Sequence, residues 1–169
     1  MKAGVLWIYR ILAVLMPESR CYWMKNALLR FAGAKIGKNV RIYSSVCITG
    51  VGGLEIGDDV HIGTRVVIST AAPGIVRIGS HVDIGPCALI FSGTHEIDIH
   101  GDHIAGNGCA KSVKIGDGCW IGAGAEVLPG VELPQSTLVA AGSVVTKSVS
   151  ESHSLIAGVP AVVKKSYKR

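Results

Sequence analysis

A six-residue repeat runs through most of this chain and restricts its fold more than any other feature. From residue 36 onward, fifteen six-residue units each begin with Ile, Leu or Val, and the fifth residue of nearly every unit is small or β-branched. The first positions are Ile36, Ile42, Ile48, Ile56, Ile62, Ile68, Ile78, Ile84, Ile90, Ile115, Ile121, Val127, Leu133, Val139 and Val145. Apolar residues of an amphipathic helix recur every three or four positions, so a period of six predicts a short strand followed by a turn.

Extra residues interrupt the repeat at three places: two at 54–55, four at 74–77 and nineteen at 96–114. All three lie between groups of eighteen residues, that is, between triangular coils of three units whose strands stack about 4.8 Å apart. A three-sided prism accepts insertions at coil boundaries. The sequence therefore predicts an all-β fold, a parallel β-helix of about five coils over residues 36–150, with a long loop over 96–114 after the third coil.

The two flanks do not follow the repeat. Residues 1–35 predict a helical segment, with helices near 4–16 and 19–32 that cap one end of the core. The apolar run in the first helix is twelve residues long and contains Arg10, so it is too short to span a bilayer. Contact of residues 4–16 with the inner face of a membrane is the alternative to a capping role. Residues 151–169 are expected to form a C-terminal tail.

The composition excludes several kinds of partner and site. The net charge is +5, from 17 Lys and Arg against 12 Asp and Glu, without a long basic patch interleaved with aromatics, so nucleic acid is not an expected partner. Part of this charge lies in Lys164, Lys165, Lys168 and Arg169, which suit a phosphorylated ligand as well as water. The five cysteines contain no C-x-x-C pair, which argues against a disulfide framework or a structural zinc site and favours a reducing cytoplasm.

A histidine marks the point where the repeat stops. The motif SGTHEID at 92–98 ends the third coil at His95, and the excursion that begins at Glu96 is expected to arch out and cover that side chain. An exposed loop histidine is the other interpretation that these residues allow. After the repeat resumes, Trp120 stands at an outward position, where an indole is costly unless it is covered.

The sequence resembles the hexapeptide-repeat acyltransferases, whose fold is a left-handed parallel β-helix, an exception to the usual right-handed crossover. Within that family it is most similar to the sugar and polysaccharide O-acetyltransferases. The resemblance covers about residues 30–163 and is carried by FAGAKIGKNVRI at 31–42, SGTHEID at 92–98, KIGDGCWIGAGAEVLPGV at 114–131, AAGSVVTK at 140–147 and IAGVPAVVKK at 156–165. It implies a homotrimer whose active sites lie in clefts between adjacent prisms, with the long loop closing over the neighbour.

The resemblance also implies a reaction, the transfer of an acetyl group from acetyl-CoA to a hydroxyl of a sugar or polysaccharide precursor. A sugar hydroxyl is a poor nucleophile at neutral pH, and His95 is the implied general base, since an imidazole can take the hydroxyl proton and later give it to the departing thiolate. The thioester carbonyl needs a hydrogen-bond donor for its developing charge, and the resemblance places a backbone N–H near Ala123 in that role. No metal is expected.

Other site residues are carried over from the same family. Trp120 is implied to line the acceptor and acetyl-CoA site, a contact between subunits being the alternative. Glu96 and Asp98 are candidates for orienting the imidazole, although loop carboxylates are usually only solvated. Arg65 stands where maltose and galactoside transferases carry a sugar-binding Asn. Their N-terminal helical domain is not recognisable here, which favours a glycan precursor over a free disaccharide.

Coenzyme A is implied to lie along an edge of the prism, parallel to its axis. The family motifs place Ala123, Ala141, Thr146 and Lys147 against it, with Lys165 near its phosphates. One departure bears on the phosphate contacts: many relatives carry Arg after the VPA or NPA motif, and this chain has Val162.

The sequence is also compatible with three other interpretations. Enzymes of the gamma carbonic anhydrase type share this shape and bind zinc with three histidines, for which His95, His100 and His81 are the candidates. Serine acetyltransferases perform similar chemistry but carry a long N-terminal helical domain. A β-helix that serves only as a scaffold needs no covered histidine.

Overall fold

The computed structural model describes residues 1–167 and has the predicted architecture, a left-handed parallel β-helix preceded by two helices. Lys168 and Arg169, at the end of the predicted tail, lie outside the described residues. Three parallel sheets form the faces of the prism, and each coil contributes one strand to each sheet in turn. Strands are numbered in chain order.

The strands of each sheet stack from coil to coil. The first sheet contains β1 (Lys35–Ile36), β4 (Gly53–Ile56), β7 (Ile75–Ile78), β12 (Val113–Ile115) and β15 (Glu132–Leu133). The second contains β2 (Arg41–Ile42), β5 (His61–Ile62), β8 (Asp83–Ile84), β13 (Trp120–Ile121), β16 (Leu138–Val139), β18 (Ser154–Gly158) and β19 (Ala161–Ser166). The third contains β3 (Cys47–Gly50), β6 (Val67–Thr70), β9 (Leu89–Phe91), β14 (Glu126–Val127) and β17 (Val144–Val145). A separate antiparallel pair joins β10 (Gly93–Ile97) to β11 (Ala105–Ala110).

The repeat builds the core as predicted. All fifteen first-position residues are buried and stack in rows along the prism axis. Most fifth-position residues are buried as well, but Ala72 is exposed and Thr94 and Val149 are only half-buried, because the chain leaves the coil at these points. Val76 and Val113, which belong to the inserted residues, are fully buried on the adjacent face. The insertions thus supply core residues of the first sheet as well as loops.

The turns between faces depend on a left-handed backbone at the fourth position of the unit. Non-glycine residues adopt positive φ there, including Asn39, Asp59, Arg65 and Cys87 at 53°, 54°, 54° and 60°. Asn and Asp tolerate this conformation better than most residues, whereas Arg is an uncommon choice.

Two helices pack across the N-terminal end of the prism. They are α1 (Ala3–Val14) and α2 (Tyr22–Phe31), close to the predicted spans. The side chain of Asn26 donates to the Val40 carbonyl at 2.8 Å, and the buried Lys25 ammonium donates to Ser44 Oγ at 3.1 Å, so α2 is fixed to the first coil. Burial lowers the pKa of Lys25. Among residues 1–167, no helix is both long enough and apolar enough to cross a membrane.

The C-terminal residues are more ordered than the predicted tail. β18 pairs in parallel with β16 and adds a sixth rung to the second sheet, and β19 folds back antiparallel against β18. These pairings place Lys165 opposite Leu155 on the edge of that sheet.

Candidate active site

The nineteen-residue insertion forms a β-hairpin arm. β10 pairs with β11 from Gly93 opposite Ala110 to Ile97 opposite Ala105, and the coil resumes at Val113. The root of the arm is fixed by Ser92, which is buried. Its Oγ accepts a hydrogen bond from the Ala71 N–H at 2.8 Å, and its carbonyl accepts one from the Lys111 N–H at 2.8 Å.

His95 lies on the first strand of this arm with its imidazole oriented by the second strand. Nδ1 lies 2.9 Å from the carbonyl oxygen of Gly106. A carbonyl can only accept, so this contact assigns the proton to Nδ1 and leaves the lone pair of Nε2 free to take a proton. The arm was expected to cover His95, but within one chain the side chain is exposed.

The two carboxylates proposed to orient the imidazole differ in their surroundings. Oδ1 of Asp98 accepts hydrogen bonds from the N–H groups of His100 at 3.0 Å and Gly101 at 2.9 Å, so Asp98 shapes the tip of the arm. Glu96 is exposed. The group that touches Nδ1 is the Gly106 carbonyl, which sequence reasoning missed because a backbone oxygen leaves no residue signature.

Trp120 stands on the second sheet beside a groove of about 640 Å³. Its indole is 57% exposed, and its neighbours along the sheet are Asp83 and Leu138. The groove is lined by Tyr43, His61, Gly63, Thr64, Asp83, Ile84, Gly85, Pro86 and Trp120. Gly63 and Gly85 allow the coils to stack closely here, since a Cβ would lie 3.0 Å from the Ile84 carbonyl oxygen at Gly63 and 2.7 Å from the Ala123 nitrogen at Gly85.

Two polar residues of the groove form a pair that the sequence did not suggest. Nδ1 of His61 lies 3.7 Å from Oδ1 of Asp83, and the Tyr43 ring meets the His61 ring edge-on at 5.1 Å between centroids. His61 occupies an outward repeat position, yet β5 and β8 place it directly beside Asp83. The sequence did not reveal this pair because the two residues are 22 positions apart in the chain. An uninterrupted coil would separate them by 18, and the insertion at 74–77 adds four.

Ala123 and Ala141 lie on the edge between the second and third sheets. The Gly142 N–H donates to the Ala123 carbonyl at 2.9 Å, which stacks the two turns. Within residues 1–167, the N–H groups of Ala123 and Ala141 meet no acceptor, and both residues are exposed. Pro86 occupies the equivalent turn position one coil earlier, where its carbonyl accepts from the Gly124 N–H at 2.8 Å. This edge therefore presents free backbone donors in the fourth and fifth coils.

Arg65 lies on the same edge in the second coil. Its side chain is exposed, and its backbone N–H donates to Ser45 Oγ at 3.0 Å.

Thr146 and Lys147 follow β17 on a different edge, where the third sheet leads back to the first and where the hairpin arm also emerges. Both side chains are exposed. Lys165 lies on β19, with Nζ 5.0 Å from the centroid of the Tyr167 ring. The structure thus brings the predicted residues together in two separate groups. His95, Thr146 and Lys147 share one edge, whereas Trp120, Ala123, Ala141 and Arg65 lie on the second sheet or at its far edge.

The histidines do not converge on a metal site within one chain. Among residues 1–167, no three His, Cys, Asp or Glu side chains form a group that could hold a metal ion. His81 lies near Asp59, with 3.8 Å between Nδ1 and Oδ2, and His100 lies at the tip of the arm.

Sequence comparisons identify several proteins that are similar to this chain. A profile described as "Hexapeptide repeat of succinyl-transferase" matches residues 112–147. The Escherichia coli (strain K12) protein named "Putative colanic acid biosynthesis acetyltransferase WcaF" is 35% identical over 162 residues, which cover 96% of this chain and 85% of that protein. The galactoside O-acetyltransferase of Lactococcus lactis subsp. lactis (strain IL1403) is 33% identical over 116 residues, which cover 64% of this chain and 54% of that protein.

Solved structures show the same architecture. A hexapeptide-repeat acetyltransferase from Vibrio cholerae O1 biovar eltor, VCA0836, crystallised with acetyl coenzyme A, matches with a TM-score of 0.81 and 26% identity over 99% of this chain and 87% of that one. A mutant of the GDP-perosamine N-acetyl transferase of Caulobacter crescentus, in complex with CoA and GDP-perosamine, matches with a TM-score of 0.58 and 28% identity over 78% of this chain and 50% of that one.

Proposed function

Since the chain belongs to the hexapeptide-repeat acetyltransferases, we propose that it transfers an acetyl group from acetyl-CoA to a hydroxyl of a sugar or polysaccharide precursor, with His95 as the general base. The observation that carries this proposal is the hydrogen bond between His95 Nδ1 and the Gly106 carbonyl. It holds the ring in the tautomer whose Nε2 can accept a proton. Because the family's donor is acetyl-CoA in the Vibrio cholerae complex, the same donor is proposed here.

The proton movements follow from the geometry of His95. Nε2 accepts the proton of the acceptor hydroxyl while that oxygen attacks the acetyl carbonyl. The free N–H of Ala123 donates to the carbonyl oxygen as it gains negative charge. Nε2 then returns its proton to the departing thiolate of CoA. The Gly106 carbonyl stabilises the protonated ring throughout, since Nδ1–H remains its donor.

The acceptor is proposed to bind in the groove beside Trp120. Aromatic faces suit the apolar faces of sugar rings, and Trp120 and Tyr43 line the groove. Asp83 and His61 supply an acceptor and a donor for hydroxyl groups. Arg65 lies on the adjoining edge, where a guanidinium could contact an anionic part of the acceptor. In the proposed trimer, the Glu96 and Asp98 that face this groove belong to the hairpin arm of a neighbouring chain.

A homotrimer is proposed because the two groups of site residues lie on different edges of one prism. In a closed ring, one edge of each subunit faces a different edge of the next. His95, Thr146 and Lys147 of one chain can then face Trp120, Ala123 and Ala141 of another. Sedimentation at micromolar concentration should show a trimer. A monomer with full turnover would contradict the shared site, since each site would then have to form within one chain.

Lys147, which follows β17 of the third sheet, is proposed to contact the nucleotide phosphates of acetyl-CoA together with Thr146, and Lys165, on β19 of the second sheet, is proposed to lie near the same phosphates. Changing Lys147 to alanine should raise the KM for acetyl-CoA about tenfold and leave kcat nearly unchanged, because phosphate contacts are similar in the ground and transition states. Initial rates at varied acetyl-CoA measure both constants. The matched control is Lys38→Ala, which removes an exposed lysine from the first coil and should change neither. A fall in kcat at constant KM would place Lys147 elsewhere.

The acceptor class is tested by measuring CoA release across sugars, nucleotide sugars and their amino derivatives. We expect release that depends on a hydroxyl-bearing sugar, with an O-acetyl product by mass spectrometry. The likeness to GDP-perosamine N-acetyl transferase makes an amino nucleotide sugar the second candidate, which would appear as an N-acetyl product. Release with serine alone, or hydration of CO₂ without CoA, would overturn the proposal. Use of acetyl-CoA and the free state of all five cysteines favour the cytoplasm as the site of action.

A further inference from the structure

The outward face of α1 is apolar along its whole length. Large side chains on this face are exposed, from 36% to 79%: Trp7, Ile8, Ile11, Leu12, Val14 and Leu15. The opposite face, with Leu6, Tyr9 and Ala13, is buried against the rest of the protein. A helix that is apolar on both faces is normally covered on both. One further surface must therefore cover the outer face.

The charges around this face are almost all positive. Lys2 and Arg10 flank it and are exposed, and Lys2 Nζ lies 5.4 Å from the centroid of the Phe31 ring. Glu18 is the only acidic residue in positions 1–33. Its carboxylate is occupied, because it accepts hydrogen bonds from the backbone N–H and the hydroxyl of Ser45.

The second helix extends the same surface. Trp23 on α2 is 74% exposed and borders a cavity of about 1030 Å³ between α2 and the first coil. Arg20, Lys38 and Arg41 line this cavity, and none of the three forms an ion pair within residues 1–167. Asp59 also lines it, and its carboxylate accepts a hydrogen bond from the Asn39 amide at 3.0 Å. Unpaired cations beside an exposed indole are suited to phosphate groups at the boundary between apolar and aqueous phases.

We propose that this two-helix cap docks on an anionic lipid bilayer. The apolar face of α1 enters the boundary between headgroups and acyl chains, with the helix lying in the plane of the surface. Trp7 and Trp23 sit at the level of the headgroups, while Lys2, Arg10 and Arg20 meet lipid phosphates. A two-fold contact with a second copy of the same face is disfavoured, because it would place these cations against one another, and contact with a different face of a trimer neighbour is an outcome of the test below.

Vesicle flotation of the full-length protein tests the proposal. With vesicles of phosphatidylcholine and phosphatidylglycerol, bound protein should exceed binding to pure phosphatidylcholine at least about tenfold, and added salt should weaken it. Ile11→Glu, at the centre of the apolar face, should lower binding at least about tenfold. Ile99→Glu makes the same change at an exposed isoleucine on the hairpin arm and should bind like the wild type. Arg10→Gln should lower binding about fivefold.

Other outcomes would overturn the membrane assignment. Equal flotation with neutral and anionic vesicles, or no loss with Ile11→Glu, would show that neither the cations nor the apolar face binds lipid. A drop in sedimenting mass of Ile11→Glu without vesicles would show that the face joins copies of the chain. Circular dichroism checks the fold of each variant. Val14→Glu, at a residue that is 79% exposed, repeats the test if Ile11→Glu does not fold.

Discussion

Replacing His95 by asparagine should lower kcat by about 10²- to 10⁴-fold, the usual contribution of a positioned proton transfer. Asparagine suits the test because its amide N–H₂ can still donate to the Gly106 carbonyl, in place of Nδ1–H. The hairpin arm therefore keeps its cross-strand contact, and only the proton acceptor at Nε2 is lost. Steady-state rates of CoA release measure the effect.

The KM for acetyl-CoA should stay within about twofold of the wild type in this variant, since other residues are proposed to hold the nucleotide. His95→Ala provides the comparison, because it removes the contact with Gly106 as well as the base. The two variants should be equally slow if the base alone matters. A folded His95→Asn enzyme with near wild-type turnover would exclude His95 as the base.

The repeat made the fold predictable because burial and chain geometry agree at every coil. Residues such as Ile62, Ile84 and Ile121 stack in one row, so each six-residue unit independently reports the same inward face. The agreement of many units therefore makes the prediction of the fold stronger than any single unit could. The same logic located the coil boundaries, since an insertion within a face would have moved the next aliphatic residue out of its row.

Outside the six-residue repeat, the sequence contains no periodic pattern from which strand pairing can be predicted. The pairing of β10 with β11 is antiparallel and joins residues such as His95 and Gly108, whose identities carry no periodic signal. β19 likewise reverses direction against β18. Both elements depend on backbone hydrogen bonds, which almost any sequence can make. The contact that orients His95 also involves a backbone group, the Gly106 carbonyl, and is therefore equally invisible in the sequence.

The groove beside Trp120 was missed for a different reason. Its polar pair, His61 and Asp83, comes from two coils, and each residue alone looks like an ordinary outward position. Parallel pairing of β5 with β8 converts a separation of 22 residues into direct adjacency. A search along each face of the prism, rather than along the chain, would have found it.

Replacing Ala123 by proline should lower kcat by about 10²- to 10³-fold, the cost of removing one donor to a developing oxyanion. The substitution deletes the free N–H and fits the turn, because Pro86 already occupies the equivalent position after Gly85 in the preceding coil. Ala123→Gly keeps the N–H and should retain most of the activity. Rapid turnover by a folded Ala123→Pro enzyme would show that the oxyanion donor lies elsewhere.

The two slow variants together test whether one site is shared between chains. Suppose that the site takes His95 from one subunit and Ala123 from its neighbour. Mixed trimers of His95→Asn and Ala123→Pro chains would then contain sites in which both residues are native. Random assembly of equal amounts should restore about one quarter of the wild-type sites, since each site draws its two halves independently from a closed ring. If both residues came from the same chain, every site would carry one defect. Co-expression with two affinity tags isolates the mixed trimers, in which the expected fraction rises to about one third, because every mixed ring contains one native junction out of three. Activity that stays at the level of the separate variants would place His95 and Ala123 in one chain.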